Sequence, residues 1–346
     1  MRKIPLSAAH ESLGAKFGDL NGWEVPLDYG SPSDEHKIVQ AKVGLIDLSY
    51  FGKVKVFGEE REMFLNALLT NDILPLKNGA SLYSALLDRK GKMLSDMWAI
   101  KENDSFILIV EPDMQSKLLD ILKERVISEI VEIQDVTDDL GLIGIYGPES
   151  GQTLINWSSK VDEPLSGNTD DLKLNNPGTG LTIIKSTRLG CLGYDLLFPR
   201  SKGDETWLSL LKLGVKPFGL QSFESIRIDA GVPRYGFDLS ENTIPMEANL
   251  VNAISYSKGC YVGQEVVARV SHIGQVNKRL AQIKLSYGNH RAGTKIFYEE
   301  KEVGSLTSIS GNYALGYIRR EYAIVDTQIQ LKSGNDESDG IVSRII

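Results

Sequence analysis

In FGKVKVFG, residues 51–58, Val54 and Val56 alternate with lysines, which is the period of a strand. The texture then changes. In EEREMFLNALLTND, residues 59–72, Phe64, Leu65, Leu68 and Leu69 recur at three- and four-residue spacing and predict a helix with one apolar face. SLYSALLD, KMLSDMWAI and SFILIVE follow, separated by RKG and KEND, and predict a three-stranded meander with turn-like joins. PDMQSKLLDILKERV enters through Pro112 and Asp113 and spaces Leu118, Leu119 and Leu122 as a second helix. Strand, helix, strands, helix and strand over 51–140 make an α+β layer of the ferredoxin-like kind.

PESGQTLINW predicts a helix entered through Pro148, and the polar stretch SGNTDDLKLNNPGTG a surface loop. LTIIKSTR and YDLLFP, joined by LGCLG, form a hairpin candidate, and DETWLSLLKLGV and LQSFESIRIDAG read as amphipathic helices. From about residue 278 the chain turns to short strands, RLAQIKL, TKIFY, VGSLTSI, ALGYIR and QIQL, predicting a small β-barrel or sandwich. The last stretch, KSGNDESDGIVSRII, contains a polar, linker-like piece expected to fray. No repeat of 20 to 50 residues is visible.

A chain of 346 residues exceeds one small core and suits two or three domains. Its formal charge of −8 argues against a general polyanion-binding face and so against nucleic acid, while leaving room for a local Arg/Lys pocket. Apolar runs such as FILIV at 106–110 fall far short of the ~20 residues that cross a bilayer. HES at 10–12 interrupts the N-terminus before a secretory apolar core develops. The two cysteines, Cys191 and Cys260, form no CxxC, which excludes a disulfide framework and a complete zinc or iron–sulfur site. A reducing, cytoplasmic setting fits, with one thiolate free to serve as a single ligand to a transient cluster.

Few residues carry candidate chemistry. A strand over KMLSDMWAI places Asp96 on the face of Leu94 and Trp98. Desolvation there raises a carboxyl pKa, a cation or hydrogen-bond donor holds it ionised, and such carboxylates gather at functional sites. The same letters also fit a solvated face, or pairing of Asp96 with Arg89 or Lys92 across the hairpin. Cys260 lies between glycines in SKGCYVGQEV, beside Lys258, with Gly263 near the start of a predicted short helix. A cation or a helix N-terminus favours the thiolate, whereas a free cysteine in a core is inert. No His/Asn partner is legible beside it, and His272, twelve positions on, is left unassigned by the sequence. Arg188, Arg227, Arg234 and Lys258 stand in or before glycine-rich turns, where a carboxylate can be met bidentately.

Residues 227–280, from RIDAGVPRYG to KRL, closely resemble the signature region of the YgfZ family of folate-binding, iron–sulfur-maintenance proteins, with KGCYVGQE as its fingerprint. Residues 10–58, from HESLGAKFGD to KVKVFG, resemble the glycine-cleavage T-protein, the aminomethyltransferase of the same superfamily, as do LLTNDI and GPES. GKMLSD resembles that protein's GGxxDD hairpin, retaining Asp96 as the second acid with Ser95 for the first. RLGCLGYDL resembles RTGYTGEDG, matching at Arg188, Gly190, Gly193 and Asp195, with Tyr194 where the pteridine-binding glutamate would be.

The resemblance implies a GcvT-like α+β fold of three domains around a central channel. These would be 1–50 with 141–277, carrying the fingerprint; 51–140; and a β-barrel at 278–346. It implies tetrahydrofolate or a one-carbon derivative as cofactor, with Asp96 orienting it, Arg188 and Arg227 meeting its glutamate tail, and Tyr194, Asp195, Lys258 and Tyr261 as further binding positions. Cys260 would carry a thiol step in redox chemistry, one-carbon transfer or transient iron–sulfur ligation. The function so implied is that of a monomeric accessory protein for iron–sulfur cluster assembly or repair, with client or assembly proteins as partners. The competing reading is aminomethyl transfer to tetrahydrofolate, and Tyr194 argues against it because the acid is missing. A folate-dependent demethylating module is a third reading, but the chain has no GxGxxG at its N-terminus for a flavin domain.

Overall fold

The computed structural model describes residues 1–161, 165–166, 172–174, 180–286, 290–334 and 336–346. The predicted meander forms as strands Ser81–Leu87, Met93–Lys101 and Ser105–Val110, continued by Gly52–Phe57 and Glu132–Asp135 into a five-stranded sheet. Strand Met93–Lys101 keeps its period of two: Met93, Ser95 and Met97 are buried, and Leu94, Asp96 and Trp98 are half-buried. The first predicted helix spans Arg61–Leu68, with Phe64, Leu65, Leu68 and Leu69 buried; the second spans Gln115–Arg125 and buries Leu118 and Leu122.

The chain divides into two compact units. The first comprises Met1–Phe64, Ile73–Leu82 and Met97–Glu224. Its second sheet runs in the order Thr182–Lys185, Gly193–Pro199, Leu140–Tyr146, Gly44–Asp47, Lys216–Pro217, antiparallel except for the last pair. The predicted hairpin over 181–199 is thus the edge pair of this sheet, and an N-terminal strand lies beside one that follows it by a hundred residues. Leu6, Leu45, Ile143, Ile145, Leu196 and Phe198 build the core with Leu154 and Trp157 of helix Ser150–Val161 and Trp207 and Leu210 of helix Gly203–Leu211. Most of the polar stretch 166–180, expected as a surface loop, lies outside the described residues; Leu165–Ser166 pairs with Lys173–Leu174.

Strand Gly52–Phe57 differs from its letters in one respect. Its lysines alternate with Val54 and Val56, yet Lys53 is as buried as the valines. Its ammonium donates to the Ser49 carbonyl at 2.7 Å, which keeps a cation inside the first unit partly satisfied.

The second unit comprises Leu65–Asp72, Tyr83–Asp96 and Ser225–Ile346. Its barrel closes in the order Lys278–Leu285, Tyr313–Arg319, Lys301–Ser310, Lys295–Tyr298, Gln328–Ser333, Asp336–Ile345. The sixth strand corrects the expectation of a fraying tail. Asp336–Ile345 pairs with both Gln328–Ser333 and Lys278–Leu285, and so joins the two ends of the sheet. Ser338, Gly340 and Val342 turn inward between more exposed neighbours, a period-two signal that Asp, Glu, Ser and Gly, and the outward-facing Ile341, obscure in the letters. Ala281, Ile283, Ile296, Leu306, Ile318 and Leu331 fill the interior. Closure leaves no open edge for another strand to join.

Candidate functional site

Cys260 and Asp96 belong to the second unit. Cys260 is exposed. The helix expected after it spans Gln264–Ile273 and starts from Gly263, whose φ is +86°. A Cβ at Gly263 would stand 2.7 Å from the Asp88 carbonyl oxygen, so only glycine lets this turn lie against the tip of the hairpin. Asp96 is half-buried and accepts a 2.5 Å hydrogen bond from the Tyr83 hydroxyl, a charge-assisted contact that fixes one carboxylate oxygen. Sequence reasoning missed Tyr83; the signal was its place in the strand that precedes Asp96 in the meander.

Lys258 is buried to 8% exposure, and its ammonium donates to the carbonyls of Asn66 at 2.7 Å and of Leu69 and Asn71 at 2.8 Å. These carbonyls lie at and just beyond the C-terminus of helix Arg61–Leu68, where backbone acceptors go unpaired and the helix dipole favours a cation. Burial pushes the Lys258 ammonium down to about 8, and Asp72 pulls the other way. The Tyr261 ring lies 5.4 Å from that ammonium, and burial, with Tyr256 adding, pushes its phenol up to about 12.

Arg227 is 1% exposed and committed internally. Nη1 donates to Asp238 at 2.7 Å and to the Val232 carbonyl at 3.1 Å, and Nη2 donates to Ser308 at 2.9 Å. Asp238 also accepts from Thr307 and from the Arg234 amide. This network ties helix Leu220–Ala230 to the barrel, and Arg234 lies over the Phe237 ring at 4.8 Å. Both arginines are placed as structural fasteners of the second unit.

Arg188, Tyr194 and Asp195 belong to the first unit. Alternation along Gly193–Pro199 sends Tyr194 and Asp195 to opposite faces. Tyr194 is fully buried within the apolar core, its hydroxyl 3.4 Å from the Leu172 amide. Asp195, equally buried, accepts from Arg188 Nε at 2.9 Å on one oxygen and from the Tyr146 hydroxyl at 2.5 Å on the other. The Tyr146 ring reaches it by lying across Gly144 and Gly193, where a Cβ would come within 2.3 Å and 2.2 Å of the ring. Its hydroxyl also meets Ser186 at 3.0 Å. Burial, then Asp195, pushes the Tyr146 phenol well above its ordinary value. For Arg188 burial opposes the charge, but Asp195, with Tyr146 and Glu111 adding, holds the guanidinium above its ordinary value. Its Nη2 is buried with no hydrogen-bond partner among the described residues, and the group stacks 4.6 Å over Phe51.

The chain matches the family model described as the GCVT N-terminal domain over residues 6–258. It belongs to the GCVT superfamily. Residues 277–338 match the model described as the CAF17 C-terminal beta-barrel domain. An aminomethyltransferase of Corynebacterium aurimucosum is 29% identical over 341 residues, covering 95% of this chain and 91% of that relative. One of Halothermothrix orenii is 28% identical, covering 100% and 99%. The crystal structure of the glycine cleavage system aminomethyltransferase T from Bartonella henselae superposes with a TM-score of 0.87 at 23% identity, over 99% of this chain and 96% of that one. That likeness shows the GcvT-like fold.

Within this GCVT chain the LLTNDI stretch has a role that its resemblance alone did not assign. The Asn71 side chain donates to the Tyr83 carbonyl at 2.9 Å and to the Asn252 carbonyl at 3.0 Å. Thr70 donates to the Ala253 carbonyl at 2.6 Å and accepts from the Ala85 amide at 2.9 Å. Among the described residues no group of three or more His, Cys, Asp and Glu side chains could hold a metal ion, and no helix is long and apolar enough to cross a membrane.

Proposed function

We propose that this protein binds a reduced folate and serves as an accessory factor in iron–sulfur cluster assembly or repair in a reducing compartment. The observation that carries the reading is the pair of reactive groups in the second unit: a half-buried carboxylate held by Tyr83, and an exposed thiol in the KGCYVGQE turn. The GCVT domain family binds tetrahydrofolate. One observation fits such a ligand: the Asp96 carboxylate, half-buried and oriented by the Tyr83 hydroxyl, is an acceptor of the kind a pterin N–H requires. A bound reduced folate supplies a carrier for one-carbon units. Cys260, open to solvent, supplies one thiolate to a cluster whose other ligands come from client or assembly proteins.

Reduced-folate binding, measured by titration calorimetry, should be detectable in the wild type and weaker by roughly 10- to 100-fold in Asp96→Ala, the loss expected for one charged hydrogen bond. No binding by the wild type ends the folate half of the proposal. Cys260→Ala should leave folate affinity intact and abolish support of iron–sulfur enzymes in a deletion strain; full complementation overturns the thiol assignment.

Aminomethyl transfer to tetrahydrofolate is the second reading, favoured by the aminomethyltransferase names of relatives that cover more than nine tenths of the chain. Against it stands the pterin-side acid. Tyr194 occupies its position and points into the core, and neighbouring Asp195 is fully buried with both oxygens engaged. Ammonia release from an aminomethyl-lipoyl carrier in the presence of tetrahydrofolate would establish that reading instead.

A further inference from the structure

The fingerprint turn is laced to one short segment of chain, residues 66–72, all within the second unit. Val262 donates its amide to the Ala67 carbonyl at 3.3 Å, and Ser255 donates to Thr70 at 3.0 Å. Thr70 and Asn71 send side-chain donors to the carbonyls of Ala253 and Asn252. Lys258 adds three bonds at once, to Asn66, Leu69 and Asn71. The same segment holds the strand that carries Tyr83. The Asn71 amide donates to Ser84 Oγ at 3.0 Å, its side chain donates to the Tyr83 carbonyl, and Ala85 donates to Thr70. Tyr83 in turn holds Asp96.

An ammonium has three donors and no acceptor, so three converging carbonyls satisfy it completely, much as oxygen ligands satisfy a bound metal cation. A guanidinium is planar and presents five donors in a fork, a shape that does not fit three convergent acceptors. The Lys258 charge is therefore spent on the backbone of residues 66–71. Asp72 and the Tyr261 ring are the other groups that act on it.

We propose that Lys258 is a positioning residue, an internal cation that locks the turn 255–263 onto segment 66–72 and so fixes the display of the Cys260 thiol relative to the strand holding Tyr83 and Asp96. It does not act as the counter-charge of the sulfur. The proposal deepens the reading of Cys260 as the reactive thiol and rests on it for its functional consequence, while its structural content is independent.

The test measures Cys260 alkylation by iodoacetamide in a Cys191→Ser background across roughly pH 6–10, beside amide hydrogen exchange over 255–263. Lys258→Met should leave the midpoint of the alkylation profile where it is in the wild type and speed exchange in the turn by about tenfold or more. Lys258→Arg should behave like Lys258→Met. A midpoint raised by about one pH unit in Lys258→Met and restored in Lys258→Arg would overturn the proposal in favour of a charge role, and unchanged exchange would overturn it outright. Should the variants fail to fold, the wild type still decides. Acetic anhydride at about pH 10, where exposed lysines are also substantially unprotonated, should label Lys258 at least about tenfold more slowly than exposed lysines, because the amine must first leave three carbonyls, and rapid labelling refutes the lock. Full complementation by Cys260→Ala would end the functional reading without touching the exchange and labelling results, so the two failures are distinguishable.

Discussion

RLGCLGYD at 188–195 and SKGCYVGQ at 257–264 look alike: a cation, a Gly-Cys pair and a second glycine. In the fold they are opposites. Arg188 faces the fully buried carboxylate of Asp195, so its charge is neutralised by a partner of opposite sign. Lys258 donates to three backbone carbonyls rather than to a carboxylate, and Asp72 acts on it only as a secondary charge behind its burial. The thiols differ as well. Cys191 is half-buried and burial pushes its pKa up, whereas Cys260 is exposed. The lesson is that a cation beside a cysteine says little about the thiol until the cation's own partner is known.

The largest way to break this contrast is to remove the carboxylate. Asp195→Ala leaves the Arg188 guanidinium, only 12% exposed, without its counter-charge and strips Tyr146 of its acceptor, so urea unfolding should show a loss of about 3–5 kcal/mol. A loss below about 1 kcal/mol would mean that the pair is not held as buried, and the contrast with Lys258 would fade.

A third buried cation extends the series. Burial pushes Lys53 down to about 7 against the pull of Asp47, Asp138 and Asp135. Its folded value lies below the unfolded one of roughly 10.4, so between these limits the unfolded chain binds more protons and stability rises with pH, by at most ~1.4 kcal/mol per unit. Thermal melts from about pH 7 to 10 should show that rise in the wild type and a flatter profile in Lys53→Met, with a gain on the order of 2–4 kcal/mol for the variant near pH 7. Equal slopes in the two proteins would show that Lys53 keeps its charge in the fold as easily as in water.

The smallest test concerns the turn itself. Gly263→Ala sets a Cβ against the Asp88 carbonyl at positive φ and should cost about 1–3 kcal/mol, whereas Gly259→Ala, with open space at its Cβ, should change stability by less than about 0.5 kcal/mol. If both substitutions are silent, the turn is not anchored at its helix end and its contacts with segment 66–72 hold it.

Strands, helices and the barrel were largely legible because period-two and three-four spacing survive in the letters. They are plain in Leu118 and Leu122 of helix Gln115–Arg125 and in the meander around Asp96. The last barrel strand was not, since Ser338 and Gly340 are inward-facing residues that read as polar. The fingerprint around Cys260 was legible as a local string. The partners of Arg227, Lys258 and Asp195 were not, because an acceptor can be a backbone carbonyl, as at Asn66, Leu69 and Asn71, and carbonyls have no letter.

The sequence by itself determined most of the strands and helices, which family the chain resembles, and that one cysteine lies in a glycine-flanked turn before a helix. Those follow from local periodicity and from the backbone freedom of particular residues. Only the tertiary structure decided that Tyr194 turns into the core while Asp195 turns to Arg188, and that Lys258 is bound by carbonyls 187 to 192 positions away. Burial and hydrogen-bond partnership are set by chain segments that meet only in the folded state, and no spacing along the chain encodes which segments those are.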